Sequence, residues 1–267
     1  MDYGISFVTS IGVENKDNHQ AFLRLKDLVS YFKSRLISNV ELIVSECGSN
    51  DYYKSEIKNL CENENITLVQ TKNNIFSLVL ARNNGAKVAN YSHLGFIDVD
   101  LRFSDNFFSN LFSLMNNLNM KNDKKAFFSV PVFYLTREFS MAFMSAENKN
   151  DLIKKMYFEY IEGRAADLIE FYSPISSLII VNKYHFLSCG GNNPAYSGHG
   201  FEDFDLLYRL MAENNKISKP SNYLVDKRNW DTYTYDGLRS YFSIMGNYAR
   251  YIAGGGYFYS TYLAYTR

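Results

Sequence analysis

Two carboxylates separated by one residue, Asp98 and Asp100, end a short apolar run near the middle of the chain. The run from Leu94 to Leu101 is bounded by polar residues and is too short for a core helix, which is typical of a buried strand. Alternate residues of a strand face the same side, so both carboxylates are expected to project together. Such a pair needs a cation, and oxygen ligands suit Mg²⁺ or Mn²⁺. The alternative is a pair of ordinary turn carboxylates.

A second acidic cluster, Glu202, Asp203 and Asp205, begins a predicted helix over residues 203–214. It follows a loop, residues 189–200, that contains four glycines. Acids in a first helical turn favour the helix dipole, so simple capping explains the cluster on its own. A carboxylate that accepts a proton during a reaction is the other interpretation.

The elements before these acids alternate in a βαβ order that predicts a parallel sheet with right-handed crossovers. Apolar runs predict strands at residues 5–9, 40–44 and 66–69, and spacings of three and four predict helices at 22–36, 53–62 and 78–89. In open sheets of this kind, ligands bind beyond the carboxyl ends of the strands. Thr9, Glu46 and the Asp98–Asp100 pair are therefore expected to share one crevice.

The pattern is less regular after residue 105. We predict a helix at 107–114 capped by Ser104, a strand around Pro131 at 126–135, an insertion at 136–176 with one helix at 152–161, and a strand at 177–187. Residues 237–265 form an aromatic-rich tail whose first half is predicted to be helical. This tail either caps the core or contacts a membrane surface or a partner subunit.

Composition excludes some classes of partner. The 267 residues carry 28 basic and 28 acidic side chains, so no overall field attracts nucleic acid or an anionic membrane. Three cysteines without a C-x-x-C motif fit a reducing compartment. No apolar stretch has the length of a membrane span, and the first residues lack a secretion signal. We expect a cytoplasmic protein.

Four motifs occur in a recognisable order. They are Val44, Glu46, Cys47, Gly48, Ser49 and Asp51; Ala81, Arg82, Asn83, Gly85 and Ala89; Asp98 and Asp100; and Gly190, Gly191, Gly198, Gly200, Glu202, Asp203 and Asp205. Over residues 4–230 this series resembles the inverting glycosyltransferases of the GT-A fold, chiefly family 2, with an acceptor motif similar to the galactosyltransferase C-terminal module of family 7. Two departures are Cys47, where family 2 has an acid, and the lack of a histidine after the acidic helix, where Asp226 is the nearest substitute.

The resemblance implies an α/β, Rossmann-like GT-A domain at 1–236, with a nucleotide-binding half at about 1–105 and an acceptor half at 106–236, followed by a helical extension at 237–267. It implies transfer of a sugar from a nucleotide-diphosphate sugar, especially a UDP-sugar, to a hydroxyl of a glycan or lipid-linked glycan. The metal would be Mn²⁺ or Mg²⁺. The expected setting is surface polysaccharide synthesis, in the cytoplasm or at the inner face of its membrane.

The same resemblance assigns roles to single residues. Asp203 is the expected general base and Glu202 orients the acceptor. The nucleotide sugar is expected to contact Thr9, Glu46, Arg82, Asp98, Gly190 and Gly191, and the metal is expected to bind Asp98, Asp100 and Asp226. Two alternatives stay open. A sugar nucleotidyltransferase would carry a G-G-x-G-T-R loop after the first strand, which SIGVENKDN lacks, and a non-catalytic sugar-binding protein would not hydrolyse its donor.

Overall fold

The computed structural model describes residues 1–35, 37–103, 107–130, 132–164, 167–173, 178–194, 196, 202–213 and 263–265. The strands in this part of the chain are β1 Asp2–Ile11, β2 Val40–Cys47, β3 Thr67–Thr71, β4 Tyr91–Ile97, β5 Leu101–Phe103, β6 Phe127–Ser129, β7 Val132–Leu135, β8 Ile169–Ser173, β9 Ile179–Asn182 and β10 Leu263–Tyr265. The helices are α1 His19–Arg35, α2 Asp51–Glu64, α3 Leu78–Val88, α4 Phe107–Asn117, α5 Arg137–Ser145, α6 Lys149–Ile161, α7 Lys183–Ser188 and α8 Glu202–Glu213.

The main sheet has the strand order β3-β2-β1-β4-β9-β6. Strands β3, β2, β1 and β4 are parallel, whereas β9 runs antiparallel to both β4 and β6. In the register, Thr9 lies between Val44 and Ile97, and Ile11 lies opposite Glu46. The carboxyl ends of β1, β2 and β4 therefore meet at one edge, which confirms the predicted parallel sheet.

Apolar side chains cover both faces of this sheet. Along β1, Phe7 packs in one buried cluster with residues of α1 such as Phe32, and the next residue, Val8, packs in the other with Ala86 of α3. This alternation is the period of two expected for a strand buried on both faces. Helix α3 approaches β1 closely, because a Cβ at Gly85 would lie 2.4 Å from Val8 Cγ1. Helices α1 and α3 therefore lie on opposite faces of the sheet.

A second, smaller sheet has the order β5-β10-β7-β8. Its strand β10 pairs antiparallel with β5 and parallel with β7, while β7 pairs antiparallel with β8. The last strand of the described chain thus joins the segment that follows Asp100. Residues 237–262, which include the helical half predicted for the tail, lie outside the described residues.

Three sequence predictions are corrected. Strand β4 ends at Ile97, and Asp98–Asp100 form a turn closed by the Leu101 amide donating to Asp98 O at 3.2 Å. The predicted strand at 126–135 is two strands in different sheets. The predicted strand at 177–187 changes to helix α7 after Asn182, whose side chain accepts a hydrogen bond from the Tyr184 amide and caps the helix.

The predicted insertion at 136–176 contains α5, α6 and β8. Ser104, the predicted cap of α4, lies outside the described residues. None of the helices in the described ranges has the length and hydropathy needed to cross a membrane.

Candidate active site

Arg82 on α3 connects the end of β4 with the start of α8. Its side chain is almost fully buried, at 2% exposure. Its Nη1 donates to Asp203 Oδ1 at 2.5 Å and its Nη2 donates to Asp98 Oδ1 at 3.3 Å. The guanidinium carbon lies 6.0 Å from the centre of the Phe96 ring. A forked guanidinium can hold two carboxylates at once, and here it holds the two predicted acidic motifs together.

Three carboxylates act on this one arginine, namely Asp203, Asp98 and Glu202. Burial alone would lower the pKa of Arg82, but these three charges raise it above its ordinary value, so Arg82 stays protonated. Burial is the main cause that raises the pKa of Asp203 to about 6; the nearby Arg82 acts to lower it, and the charges of Glu202 and Asp98 act to raise it further. Asp203 is therefore a carboxylate with an unusually high proton affinity.

The site is only partly closed to solvent. The side chains of Asp98 and Asp203 are 33% and 21% exposed, while Glu202 is buried. A ligand can thus reach Asp98 and Asp203, and the neighbouring Glu202 strengthens the negative potential from below the surface.

The glycine pair is fixed to α3 beside Arg82. Asn83 donates to the Asn192 carbonyl at 2.7 Å and accepts from the Asn192 amide at 2.8 Å. Gly191 has a φ of +68°, and a Cβ there would lie 2.7 Å from Asn83 Oδ1. Only glycine satisfies this backbone conformation and this close approach together. The role of Asn83 was missed from the sequence, although the residue belongs to the motif around Arg82.

Helix α8 is anchored to the same loop by a second pair. The Nε of Arg209 donates to Asp205 Oδ2 at 2.8 Å, and its Nη1 donates to the Cys189 carbonyl at 2.7 Å. Asp205 is buried and serves this contact. Of the three acids in the first turn of α8, Asp205 therefore positions the helix, whereas Asp203 and Glu202 face Arg82.

Two predicted nucleotide contacts lie at the carboxyl edge of β1 and β2. Glu46 is fully buried and its Oε1 accepts from the Ser49 amide at 2.9 Å. Among the described residues, Glu46 Oε2 and Thr9 Oγ1 have no hydrogen-bond partner. Buried polar atoms are normally paired, so these two atoms are suited to a ligand that donates or accepts hydrogen bonds. Strand β2 includes Glu46, which lies beyond the predicted strand end at residue 44.

Asp100 has a different environment from Asp98. It is nearly buried and its Oδ2 lies 3.6 Å from Arg24 Nη1 on α1, the helix on the opposite face of the sheet from α3. The expectation that both carboxylates project together from a strand is therefore wrong, since they lie in a turn and pair with arginines of different helices.

The carboxylates at this edge of the sheet are candidate ligands for a divalent cation. No group of three or more His, Cys, Asp or Glu side chains that could hold a metal lies within the described ranges. Asp226 lies outside them. Asp98 is accessible, and the Arg24–Asp100 distance is too long for a hydrogen bond. Asp98, with phosphate oxygens and waters completing the coordination, fits Mn²⁺ or Mg²⁺, and Asp100 would join it only by leaving Arg24.

The sequence matches the family described as Glycosyltransferase like family 2 over residues 8–264. The chain belongs to this family, because the match covers almost its whole length. The comparison with curated proteins finds no significant match.

The solved structure of GalNAc-T7 with UDP, GalNAc and Mn²⁺ is similar to this chain, with a TM-score of 0.50, 15% identity, and coverage of 78% of this chain and 40% of that one. Glucosyl-3-phosphoglycerate synthase from Mycobacterium tuberculosis has a TM-score of 0.47 and 17% identity, and the match covers 81% of this chain and 68% of that one. S. aureus TarS has a TM-score of 0.45 and 11% identity, and the match covers 78% of this chain and 33% of that one. The chain thus spans a third to two-fifths of TarS and GalNAc-T7. The mainly parallel sheet flanked by helices is a GT-A fold.

Proposed function

We propose that this protein is a metal-dependent, inverting glycosyltransferase that moves a hexose from a UDP-sugar to a hydroxyl group of a glycan. One observation carries the proposal: Asp203, with a pKa raised to about 6, is held by buried Arg82 beside Asp98 at the carboxyl edge of the sheet. A partly exposed carboxylate with raised proton affinity has the properties of a general base near neutral pH.

The donor would bind at the carboxyl edge. Thr9 Oγ1 and Glu46 Oε2 are suited to the base and ribose, and Asp98 to the ribose side of the diphosphate. Gly190 and Gly191 would present backbone groups to the transferred sugar. The fold is shared with GalNAc-T7, whose structure contains UDP, GalNAc and Mn²⁺, and this supports the choice of donor class.

Asp98 and Asp100 would hold Mn²⁺ or Mg²⁺, with Asp226 as a third ligand. When bound, the ion would neutralise the negative charge of the leaving diphosphate.

The remaining chemistry belongs to residues of the chain. Asp203 takes the proton of the acceptor hydroxyl, whose oxygen forms the new bond to the anomeric carbon. The bond from that carbon to the diphosphate oxygen breaks, and its electron pair leaves with the diphosphate. A direct displacement of this kind inverts the configuration. Glu202, adjacent to Asp203, would orient the acceptor.

Arg82 holds Asp203 in position while it accepts the proton. Because both terminal nitrogens of Arg82 already donate to carboxylates, a further contact with the donor diphosphate would use their second hydrogens. Its role as a phosphate clamp remains part of this proposal.

The broader setting follows the sequence expectations. We propose a glycan or lipid-linked glycan acceptor in surface polysaccharide synthesis, a cytoplasmic location, and a division into a nucleotide-binding half at 1–105, an acceptor half at 106–236 and an extension at 237–267. The extension would cap the core, or contact a membrane surface or a second subunit.

The test is metal-dependent release of sugar from a panel of nucleotide sugars, followed by transfer to glycan acceptors. Asp203→Asn keeps the shape and the capping ability of the side chain but cannot take a proton, so transfer should fall by roughly 10²–10⁴-fold. UDP binding, measured by calorimetry, should survive.

Asp205→Asn makes the same change two residues away, at a carboxylate that pairs with Arg209 and positions α8, so its loss of transfer measures the part that comes from a displaced helix. Near-normal transfer by Asp203→Asn would refute the base assignment. Absence of donor hydrolysis in the wild-type protein, with UDP still bound, would favour a sugar-binding protein.

A further inference from the structure

An exposed aromatic ring lies at the carboxyl edge of the main sheet. Phe76, two residues before α3, is 37% exposed, and its neighbour Ile75 is 70% exposed. Single exposed apolar residues are common on protein surfaces, so exposure alone does not mark a site. The position of the Phe76 ring carries the argument.

Two glycines allow this ring to lie over the ends of β1 and β2. A Cβ at Gly12, the first residue after β1, would lie 2.5 Å from Phe76 Cδ2. A Cβ at Gly48, the first residue after β2, would lie 2.4 Å from the Phe76 amide nitrogen. A side chain at Gly48 would therefore collide with the backbone before α3. Phe76 thus lies where ligands bind in open α/β sheets, beyond the carboxyl ends of parallel strands.

The residues around Phe76 are held in place by hydrogen bonds. Asn73 Nδ2 donates to the Ile75 carbonyl at 2.9 Å, and the Cys47 thiol donates to the same oxygen at 3.7 Å. On the other side of Phe76, Ser77 is the N-cap of α3. The backbone that carries the ring is therefore positioned before a ligand arrives, which reduces the entropy that binding must remove.

The strand order decides which part of the donor would reach this ring. The end of β2 is two strands away from the end of β4, roughly 10 Å at the usual strand spacing. Asp98 follows β4 and is joined to Asp203 through Arg82, so transfer of the sugar would take place there. The base is the opposite end of a nucleotide-diphosphate sugar. It would therefore lie over the ends of β1 and β2.

The ring also lies on the correct face of the sheet. Phe76 leads directly into α3, the helix that carries Arg82. Gly12 is four residues after Val8 on β1, and Val8 packs against α3, so the alternation of a strand places both on the α3 face. A donor that contacts Arg82 with its diphosphate can thus reach Phe76 with its base without crossing the sheet.

We propose that Phe76 binds the nucleobase of the donor, with the base stacked on the exposed face of its ring. This inference rests on the proposed function, because it names the contact for the base of the UDP-sugar. Every base has an aromatic face, so stacking supplies affinity without reading which base is present. The choice of uracil would then depend on polar groups at the same edge, such as Glu46.

Calorimetric titration of UDP with Mn²⁺ into the full chain and its variants tests the contact. Phe76→Leu keeps an apolar side chain but has no ring face, so UDP affinity should fall about tenfold, which is within the usual contribution of one stacked base. Phe76→Tyr keeps the ring face and should bind UDP within about twofold of the wild type. Ile75→Ala is the matched control, because it removes the neighbouring exposed side chain, and it should leave UDP affinity unchanged.

Pyrophosphate separates a contact with the base from a structural role. It has the diphosphate but no base, so its Mn²⁺-dependent affinity should be the same in the wild type and in Phe76→Leu. If Phe76→Leu weakened UDP and pyrophosphate equally, Phe76 would only support the surrounding backbone, and the proposal would be overturned.

The outcomes also distinguish this inference from the proposed function. Unchanged UDP affinity in Phe76→Leu, or an equal loss in Ile75→Ala, would overturn the role of Phe76 and leave the transferase assignment standing. A wild-type protein that binds no UDP would overturn both. A tenfold loss of UDP affinity in Phe76→Leu, in a protein that transfers no sugar, would support the base contact and contradict only the transferase activity.

Discussion

The two sides of the D-x-D turn differ in how their charges are balanced. On the Asp98 side, one arginine, Arg82, faces three carboxylates. On the Asp100 side, two arginines, Arg24 and Arg102, face Asp100 and Asp27. The first side has an excess of negative charge, which favours uptake of a proton or a cation. The second side is neutral overall and fixes the turn from behind.

This difference separates a reactive region from a supporting one within a single motif. A surplus of carboxylates around a buried cation is unfavourable for the fold but raises the proton affinity of Asp203. Asp98 and Asp100, two residues apart in one turn, therefore meet different charges because they pair with arginines of different helices.

The largest expected effect comes from removing the cation of the reactive side. Arg82→Met leaves three carboxylates without their shared partner in a buried position, so the free energy of unfolding should fall by about 3–5 kcal/mol. Arg24→Met, on the balanced side, should cost less than about 1 kcal/mol, since Arg24 is partly exposed and its contact with Asp100 is long. Urea unfolding of both variants measures the difference, and equal losses would contradict it.

A smaller effect distinguishes the two carboxylates of the motif. Asp100→Asn should reduce Mn²⁺-dependent UDP affinity by roughly tenfold or more, because oxygen sites depend strongly on the number of charged ligands. Asp98→Asn should also weaken it. Calorimetric titrations of UDP with and without Mn²⁺ measure the metal-dependent part.

Asp27→Asn is the control, because it makes the same change in charge on the balanced side without removing a proposed ligand. Unchanged affinity in Asp100→Asn would make Asp100 a turn residue that only pairs with Arg24.

The first hundred residues were predictable because local pattern and fold agree there. The alternation of apolar strands and amphipathic helices is a local property, and it correctly placed Thr9, Glu46 and Asp98 at one edge. The strand after residue 177 was predicted too long, because its apolar run continues into α7 without a break. Asn182, a good helix cap directly before that segment, was the signal that could have ended it.

The contact between Arg82 and Asp203 could not be predicted from local sequence pattern. Arg82 and Asp203 are 121 positions apart, and their contact depends on how α8 packs beneath the sheet. The sequence identified both residues through motifs but assigned them separate roles. Similarly, the D-x-D spacing does not reveal that strand β4 ends one residue before Asp98, and this ending is what turns Asp100 toward Arg24.

The smallest expected effect is a shift in pH dependence. Because Asp203 has a pKa of about 6 instead of its ordinary 3.8, and a base must be deprotonated, transfer should rise about tenfold per pH unit below pH 6 and level off above it. Glu202→Gln removes a charge that raises this pKa, so the midpoint should move to lower pH. Rates at saturating donor between pH 5 and 8 measure both midpoints.

Stability gives a control that does not depend on activity. The folded-state pKa of Asp203 is raised, so between about pH 4 and pH 6 the folded protein binds more protons than the unfolded chain, and this group makes the wild type lose stability as pH rises. Asp203→Asn has no such titration. Its free energy of unfolding should therefore improve relative to the wild type from pH 4 to pH 6. A difference that stays constant over this range would show that Asp203 has an ordinary pKa. The proposed function of Asp203 as a base would then lose the raised proton affinity on which it rests.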